Sequence, residues 1–281
     1  MVAGYEVVSL WNEQFEALIG LISQVSDKLT DGALAGRLAS AAGRVLMDLR
    51  RDSSLSGADL GRAGDAVANA FLTGSLARVR PEQWVLSEES PDDPARLGRD
   101  AVWIVDPLDG SREFGERRQD FAVHVALAVQ GSPIAGAVAL PALGVTYSTA
   151  DRPSLGPVGL GPVRIVVSRT RPPDFVDRLA EAFGAQIVPM GSMGAKTMAV
   201  VRGDAVAYVH AAGQHEWDSC APVAVARAAG LYAADLSGRP LRFNQRQVLQ
   251  PGLVVCRSEL VPSMTDLLAS EDLRGQTEDL W

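Results

Sequence analysis

Val102-Trp103-Ile104-Val105-Asp106-Pro107-Leu108-Asp109-Gly110-Ser111 is an apolar strand that runs directly into two carboxylates, a proline turn, a glycine and a hydroxyl. Asp106 and Asp109 lie three residues apart across the Pro107 turn, so both carboxylates can converge on one point. Converging anions at a partly desolvated strand end repel each other unless a cation sits between them. Gly110 lets the backbone approach a ligand closely, and Ser111 offers a hydroxyl beside it. The stretch reads as a divalent-metal site with room for a phosphate.

On the N-terminal side, apolar residues recur at helical spacing from Trp11 to about Arg51, broken at Thr30-Asp31-Gly32, with Thr30 or Asp31 as N-cap. The Ser-, Gly- and Asp-rich segment Asp52 to Gly64 predicts a loop, followed by a helix from Asp65 to Val79 and a short strand at Val85-Leu86. On the C-terminal side, Phe121–Val129, Ile134–Leu140 and Val145–Thr149 predict successive strands of an antiparallel sheet with one well-covered face. The Pro- and Gly-rich stretch Asp151 to Pro162 then marks a boundary between an N-terminal α+β portion (1–155) and a C-terminal α/β portion (156–281).

In that second portion the pattern predicts strands at Arg164–Val167, Gln186–Pro189 and Ala205–His210, with helices at Pro173–Phe183 and Ala195–Val201. A helix near Ala221–Ala229 and strands near Leu231 and Leu253–Cys256 complete it, and the acidic tail from Ser270 to Trp281 is expected to fray.

Composition narrows the function. The 281 residues are 47% hydrophobic and 21% charged, as in an ordinary globular enzyme. A net charge of −8 with no cluster of Lys and Arg argues against nucleic-acid polymers as partners. An anionic small molecule stays open if metal ions supply the local positive charge. Cys220 and Cys256 are too few for a disulfide framework, Met1–Leu10 lacks a signal-peptide pattern, and no stretch approaches a membrane span. These features predict a cytoplasmic protein.

Three further acidic features stand at the ends of elements: Asp65, Glu88-Glu89, and Asp218 in Glu216-Trp217-Asp218-Ser219-Cys220-Ala221-Pro222. Taken singly, Asp65 and Asp218 read as N-caps and Glu88-Glu89 as a solvated pair. Together with Asp106 and Asp109, the ordered blocks Asp65, Ser87-Glu88-Glu89-Ser90, Asp106-Pro107-Leu108-Asp109-Gly110-Ser111 and Trp217-Asp218 resemble the lithium-sensitive, magnesium-dependent phosphatase superfamily. That group includes inositol monophosphatases, fructose-1,6-bisphosphatases and 3′(2′),5′-bisphosphate nucleotidases. The resemblance implies a layered α/β/α/β/α sandwich with the site between two subdomains.

It also implies roles. Glu88, Asp106, Asp109, Asp218 and the Leu108 carbonyl would ligate Mg²⁺, two or three ions in all, with hard oxygens as that ion prefers. Asp65 would hold an outer ion through water. Glu88 and Ser111 would orient an activated water toward phosphorus, and Gly110 and Ser111 would present backbone N–H groups to the phosphate. Two blocks depart from the pattern. Gly61-Arg62-Ala63-Gly64-Asp65 lacks the usual Thr, which bears on the outer ion, and Pro222 replaces the usual Gly.

Within the superfamily, Ser111-Arg112-Glu113-Phe114, Val167-Ser168-Arg169-Thr170 and Gly191-Ser192-Met193-Gly194-Ala195-Lys196 are most similar to the bisphosphate nucleotidase branch. Gly213-Gln214-His215-Glu216-Trp217-Asp218 and Leu241-Arg242-Phe243-Asn244 look like its actinobacterial CysQ-type members. The substrate this implies is 3′-phosphoadenosine 5′-phosphate, in sulfate assimilation, hydrolysed by a homodimer. A second anion site away from the metals would draw on Ser168, Arg169 and Lys196, with Arg112, Ser192 and His215 at the pocket edge. His124, His210 and His215 are not expected as metal ligands in an all-oxygen site. The competing readings are the same chemistry on inositol phosphate, fructose 1,6-bisphosphate or a nucleoside monophosphate, and a silent nucleotide-binding protein.

Overall fold

The computed structural model of the chain describes residues 15–159 and 161–270. The reading of Met1–Leu10, the start of the first helix at Trp11 and the tail beyond Ser270 lie outside them. A helical stretch over 15–23 (α1) leads to α2 (Asp31–Asp52), whose N-cap Thr30 accepts a hydrogen bond from the Ala33 N–H. Then come α3 (Gly57–Val79), β1 (Trp84–Ser87), β2 (Ala101–Asp109), the single turn α4 (Ser111–Gly115), β3 (Ala122–Val129), β4 (Ser132–Leu140) and β5 (Val145–Ser148). The second half contains β6 (Arg164–Ser168), α5 (Val176–Phe183), β7 (Gln186–Met190), α6 (Met193–Arg202), β8 (Ala207–His215), α7 (Glu216–Ala228), β9 (Tyr232–Ala234), β10 (Leu249–Cys256) and α8 (Val261–Leu268).

The strands form two five-stranded sheets, ordered β1-β2-β3-β4-β5 and β7-β6-β8-β10-β9. Helices α2 and α3 cover one face of the first sheet, packing on Trp103, Val105, Val123, Val125 and Leu127. Helices α6 and α7 fill the space between the sheets, against Val102, Ile104, Ala122 and Ala126 on one side and Tyr208, Leu253 and Val255 on the other. Helices α5 and α8 cover the outer face of the second sheet through Leu179, Met264 and Leu268. The result is the expected α/β/α/β/α layering.

Three local expectations need correction. The first sheet is buried on both faces at β2 and β3, and its β1–β2 pair is parallel. The residues expected as a loop up to Gly64 are mostly helix: α3 starts at Gly57, so Asp65 lies two turns inside it rather than at its cap. Glycine weakens a helix in isolation, but here it permits contact. A Cβ on Gly61 would sit 2.9 Å from the Ser111 carbonyl oxygen, and one on Gly64 2.7 Å from Leu108, so the helix backbone rests directly on the β2–α4 corner. Likewise α7 begins at Glu216, capped by His215, which puts Asp218 in its first turn and Pro222 in its second. Pro222 has no N–H to give, so the Asp218 carbonyl loses its helical partner.

Candidate functional site

Strand register brings the acids together. Asp106 pairs with His124 and Asp109 with Ala122, so Pro107 and Leu108 bulge out opposite Val123 and aim the strand end at the cleft. Gly110, at φ +92°, turns the chain into α4. Parallel pairing of β1 with β2 sets Ser87 beside Val105, and the Glu88 N–H continues the ladder to the Val105 carbonyl at 3.3 Å. Glu88 therefore stands next to Asp106. On α3, the Asp65 carboxylate faces the Ser111 hydroxyl, which favours its charged form. Asp218 arrives from the second sheet's side, where its Oδ2 accepts the His215 N–H at 2.6 Å.

The cluster is electrostatically uncomfortable. Burial, then Glu88, Asp109, Asp218 and Asp65, hold Asp106 well above the usual carboxylate range. Burial and the neighbouring acids push Asp65 to about 8, Glu88 to about 7 and Asp218 to about 6. Asp109 differs. Burial opposes its charge, but His124, Lys196 and Ser192 outweigh that and lower its pKa. Its Oδ2 accepts from the Ser192 hydroxyl at 2.5 Å and the Gly194 N–H at 2.8 Å, with His124 Nε2 at 3.2 Å.

The donor chemistry fits a hard divalent cation. Asp106 Oδ2 is buried with no hydrogen-bond partner, and what surrounds it is chiefly anionic oxygen, the ligand such ions take. Among the described residues no group of three His, Cys, Asp or Glu side chains already encloses a single point. The fit is therefore one of donor type and charge, not of finished coordination geometry.

Beside the acids lies a cleft of about 180 Å³, lined among others by Asp109, Gly110, Asp218, Lys196, Arg169 and Arg171. Ser168 and Ser192 also face it; Arg112 and His215 are not among its lining residues. Arg112 is exposed on α4, and His215 stacks on Trp217 at 4.6 Å between ring centroids. Lys196 is no surface cation: it is buried, its ammonium donates to the Gly191 and Ser192 carbonyls, and burial lowers its pKa to about 8. Arg169 is already paired, at 2.6 Å to Glu113 and 3.1 Å to Glu116. The cleft's uncommitted cation is Arg171, which makes no ion pair among the described residues and whose charge reaches Asp218 and His215. In the cleft wall, the Tyr208 hydroxyl and both polar atoms of the Gln214 amide are buried without hydrogen-bond partners among the described residues.

Two of these residues escaped sequence reasoning. Arg171 is one of two arginines in Ser168-Arg169-Thr170-Arg171, and only the fold shows that the other is neutralised. Asn69 lies one turn beyond Asp65 on the same helix face, a spacing that is a usable signal. It accepts the Ser87 hydroxyl at 2.8 Å and donates to the Glu89 carbonyl at 3.2 Å and the Ser90 hydroxyl at 3.1 Å, bracketing Glu88-Glu89.

Comparison with known proteins agrees with this geometry. The model of the inositol monophosphatase family matches residues 28–154 and 162–271. A Mycobacterium leprae protein named 3′-phosphoadenosine 5′-phosphate phosphatase is 44% identical over 86% of this chain and 94% of its own length. The Escherichia coli 3′(2′),5′-bisphosphate nucleotidase CysQ is 33% identical over 69% of this chain and 83% of its own. Among solved structures, CysQ from Bacteroides thetaiotaomicron superposes with a TM-score of 0.65 at 26% identity, covering 78% of this chain and 94% of that one. Inositol monophosphatase II from Staphylococcus aureus, at 20% identity, shares the fold with a TM-score of 0.70 over 86% of this chain and 95% of its own. With its carboxylates assembled at the end of β2 and nearly the whole described chain matched, this protein belongs to the inositol monophosphatase family.

Proposed function

We propose that this chain is a Mg²⁺-dependent phosphomonoesterase that removes the 3′-phosphate of 3′-phosphoadenosine 5′-phosphate and related bisphosphate nucleotides. The observation that carries the reading is a buried, mutually repelling set of carboxylates opening on a cleft whose far wall keeps an uncommitted arginine, Arg171. The mycobacterial relatives that bear this activity in their name, at 44% and 46% identity, support the choice of substrate.

Glu88, Asp106, Asp109, Asp218 and the Leu108 carbonyl would hold the cation. When bound, Mg²⁺ lowers the pKa of water and offsets charge on the attacking and leaving oxygens. Asp65 would accept the Ser111 hydroxyl, leaving the lone pairs of Ser111 Oγ to orient a water from the side opposite the leaving group. Gly110 and Ser111 offer backbone N–H groups to the phosphate. Since α4 is a single turn, the contribution is those two donors more than a helix dipole. Arg171 supplies a charge-assisted bond to the substrate's second phosphate. Arg169 is spent on Glu113 and Glu116, and Lys196 ties the start of α6 to its own backbone.

No helix among the described residues is long and apolar enough to cross a membrane. The family resemblance supports a cytoplasmic homodimer as part of the same reading. The deciding experiment is phosphate release with Mg²⁺ from 3′-phosphoadenosine 5′-phosphate, adenosine monophosphate, inositol 1-phosphate and fructose 1,6-bisphosphate. The expected preference for the bisphosphate nucleotide is at least about tenfold in kcat/KM, roughly 1.4 kcal/mol of transition-state discrimination. A flat profile, or a preference for the sugar or inositol ester, overturns the substrate.

A further inference from the structure

Two motifs, Gly213-Gln214-His215-Glu216-Trp217-Asp218 and Leu241-Arg242-Phe243-Asn244, meet in one buried polar network outside the acid cluster. Glu216 opens α7 and is fully buried. Both its oxygens are taken by backbone donors: Oε2 accepts the Asn244 N–H at 2.5 Å and Oε1 the Gln245 N–H at 2.7 Å. Asn244 adopts a left-handed backbone, φ +57°, which turns these two N–H groups toward the same carboxylate.

The Asn244 side chain then reaches the other half of the molecule. Its Oδ1 accepts Arg96 Nη1 at 2.8 Å, and its Nδ2 donates to the carbonyls of Arg96 and Arg99 at 3.1 and 3.3 Å. Arg96 is 1% exposed, forks onto Asp92 at 2.6 and 2.9 Å, and donates to the Gln245 carbonyl at 3.1 Å. Asp92 follows Glu88-Glu89 closely in the chain, and Glu216 precedes Asp218 by two residues. The network thus bridges the segments that deliver Glu88 from the first sheet and Asp218 from the second.

We propose that Glu216, with Asn244 and Arg96, is a positioning device that holds Asp218 at the distance from Glu88 that a divalent cation requires. Glu216 is not read as a ligand: it does not line the cleft, and a backbone N–H sits on each of its oxygens. The inference rests on the reading of Glu88 and Asp218 as cation ligands. A buried, multiply hydrogen-bonded carboxylate is costly to keep where packing alone would serve. A clamp of fixed geometry is what the cation site gains from it.

The test uses the full chain and Mn²⁺ alone as probe, counting free ion by its electron paramagnetic resonance signal, alongside thermal unfolding and steady-state kinetics. In Glu216→Gln an amide NH₂ faces one of the two backbone donors. Asn244→Gly keeps the left-handed backbone but cuts the link to Arg96. Both folded variants should bind Mn²⁺ about tenfold more weakly, the worth of one charge-assisted hydrogen bond. Their kcat should recover at high Mg²⁺ with substrate KM unchanged. If Glu216→Gln does not fold, Asn244→Gly carries the test alone. Variants that melt earlier yet bind Mn²⁺ as the parent does make the network merely structural and overturn the proposal. A parent protein that binds no Mn²⁺ overturns the cation site as well, which separates the two failures.

Discussion

Glu216 and Asp218 sit two residues apart in the first turn of α7, and burial raises the pKa of both, to about 7 and about 6. Their surroundings are opposite. Glu216 has an N–H donor on each oxygen and the Arg96 guanidinium nearby, so the protein itself answers its charge. Asp218 has one N–H donor and faces Asp109, in a cluster where Asp106 has an oxygen with no hydrogen-bond donor among the described residues. A raised pKa reports burial in both places. What separates a structural acid from a ligand-holding one is whether donors inside the fold use up its oxygens.

The sharpest way to break this contrast is to neutralise one acid on each side. Asp106→Asn should cut kcat by on the order of 10²–10³, the scale set by losing one group that stabilises transition-state charge. It should also raise the melting temperature in chelator, because the buried group no longer has to be charged among anions or take up a proton on folding. Glu216→Gln should move stability the other way by about 1–3 kcal/mol, through the donor it leaves facing an amide. Melting curves of both variants in EDTA decide it, and two shifts of the same sign would erase the distinction.

The cleft wall offers a smaller contrast between two arginines. Arg171→Gln should raise KM for the bisphosphate nucleotide roughly 10–100-fold, the range for a lost charged hydrogen bond, with little change for a monophosphate. Equal losses on both substrates would remove Arg171 from the second phosphate.

Next in size is the pH dependence of the metal-free protein. Asp65, Glu88, Asp106 and Asp218 have folded pKa values above their unfolded ones, so the folded state binds more protons. Their contribution to stability is whole below pH 4 and is lost as pH rises through 6 to 8, the values of Asp218, Glu88 and Asp65. The melting temperature in EDTA should fall by several degrees between pH 5.5 and 8.5, at roughly 2–4 °C per kcal/mol for a chain of this size. Saturating Mg²⁺ should flatten that slope, and an equal slope with and without the ion would detach the cluster from metal binding. The least effect belongs to Arg169→Gln, which should alter KM by less than about threefold because a part-exposed pair already occupies that charge.

Legibility in the sequence followed the range of the physics. The strand ending in Asp106-Pro107-Leu108-Asp109 was readable because an apolar run of β residues and a turn are local events. The start of α3 was misread because Gly57, Gly61 and Gly64 carry a loop's composition, and only their contact with the β2–α4 corner makes a helix the better packing. That Arg169 and Lys196, both on the cleft, already have protein partners was not legible, since ordered motifs fix which residues are near but not which partners they have met. Asn69, one helical turn from Asp65, lay within reach of spacing arguments and was missed.

By itself the sequence determined the family and the layered architecture and named the acids proposed for the site, because hydrophobic periodicity and the order of charged blocks are written along the chain. Tertiary structure alone decided the rest: which buried carboxylate oxygens lack a donor and which cleft arginine makes no ion pair among the described residues, and that Asn244 and Arg96, 148 positions apart, are hydrogen-bonded. Charge and hydrogen-bond capacity belong to residues. Whether they are spent or available depends on neighbours that only folding supplies.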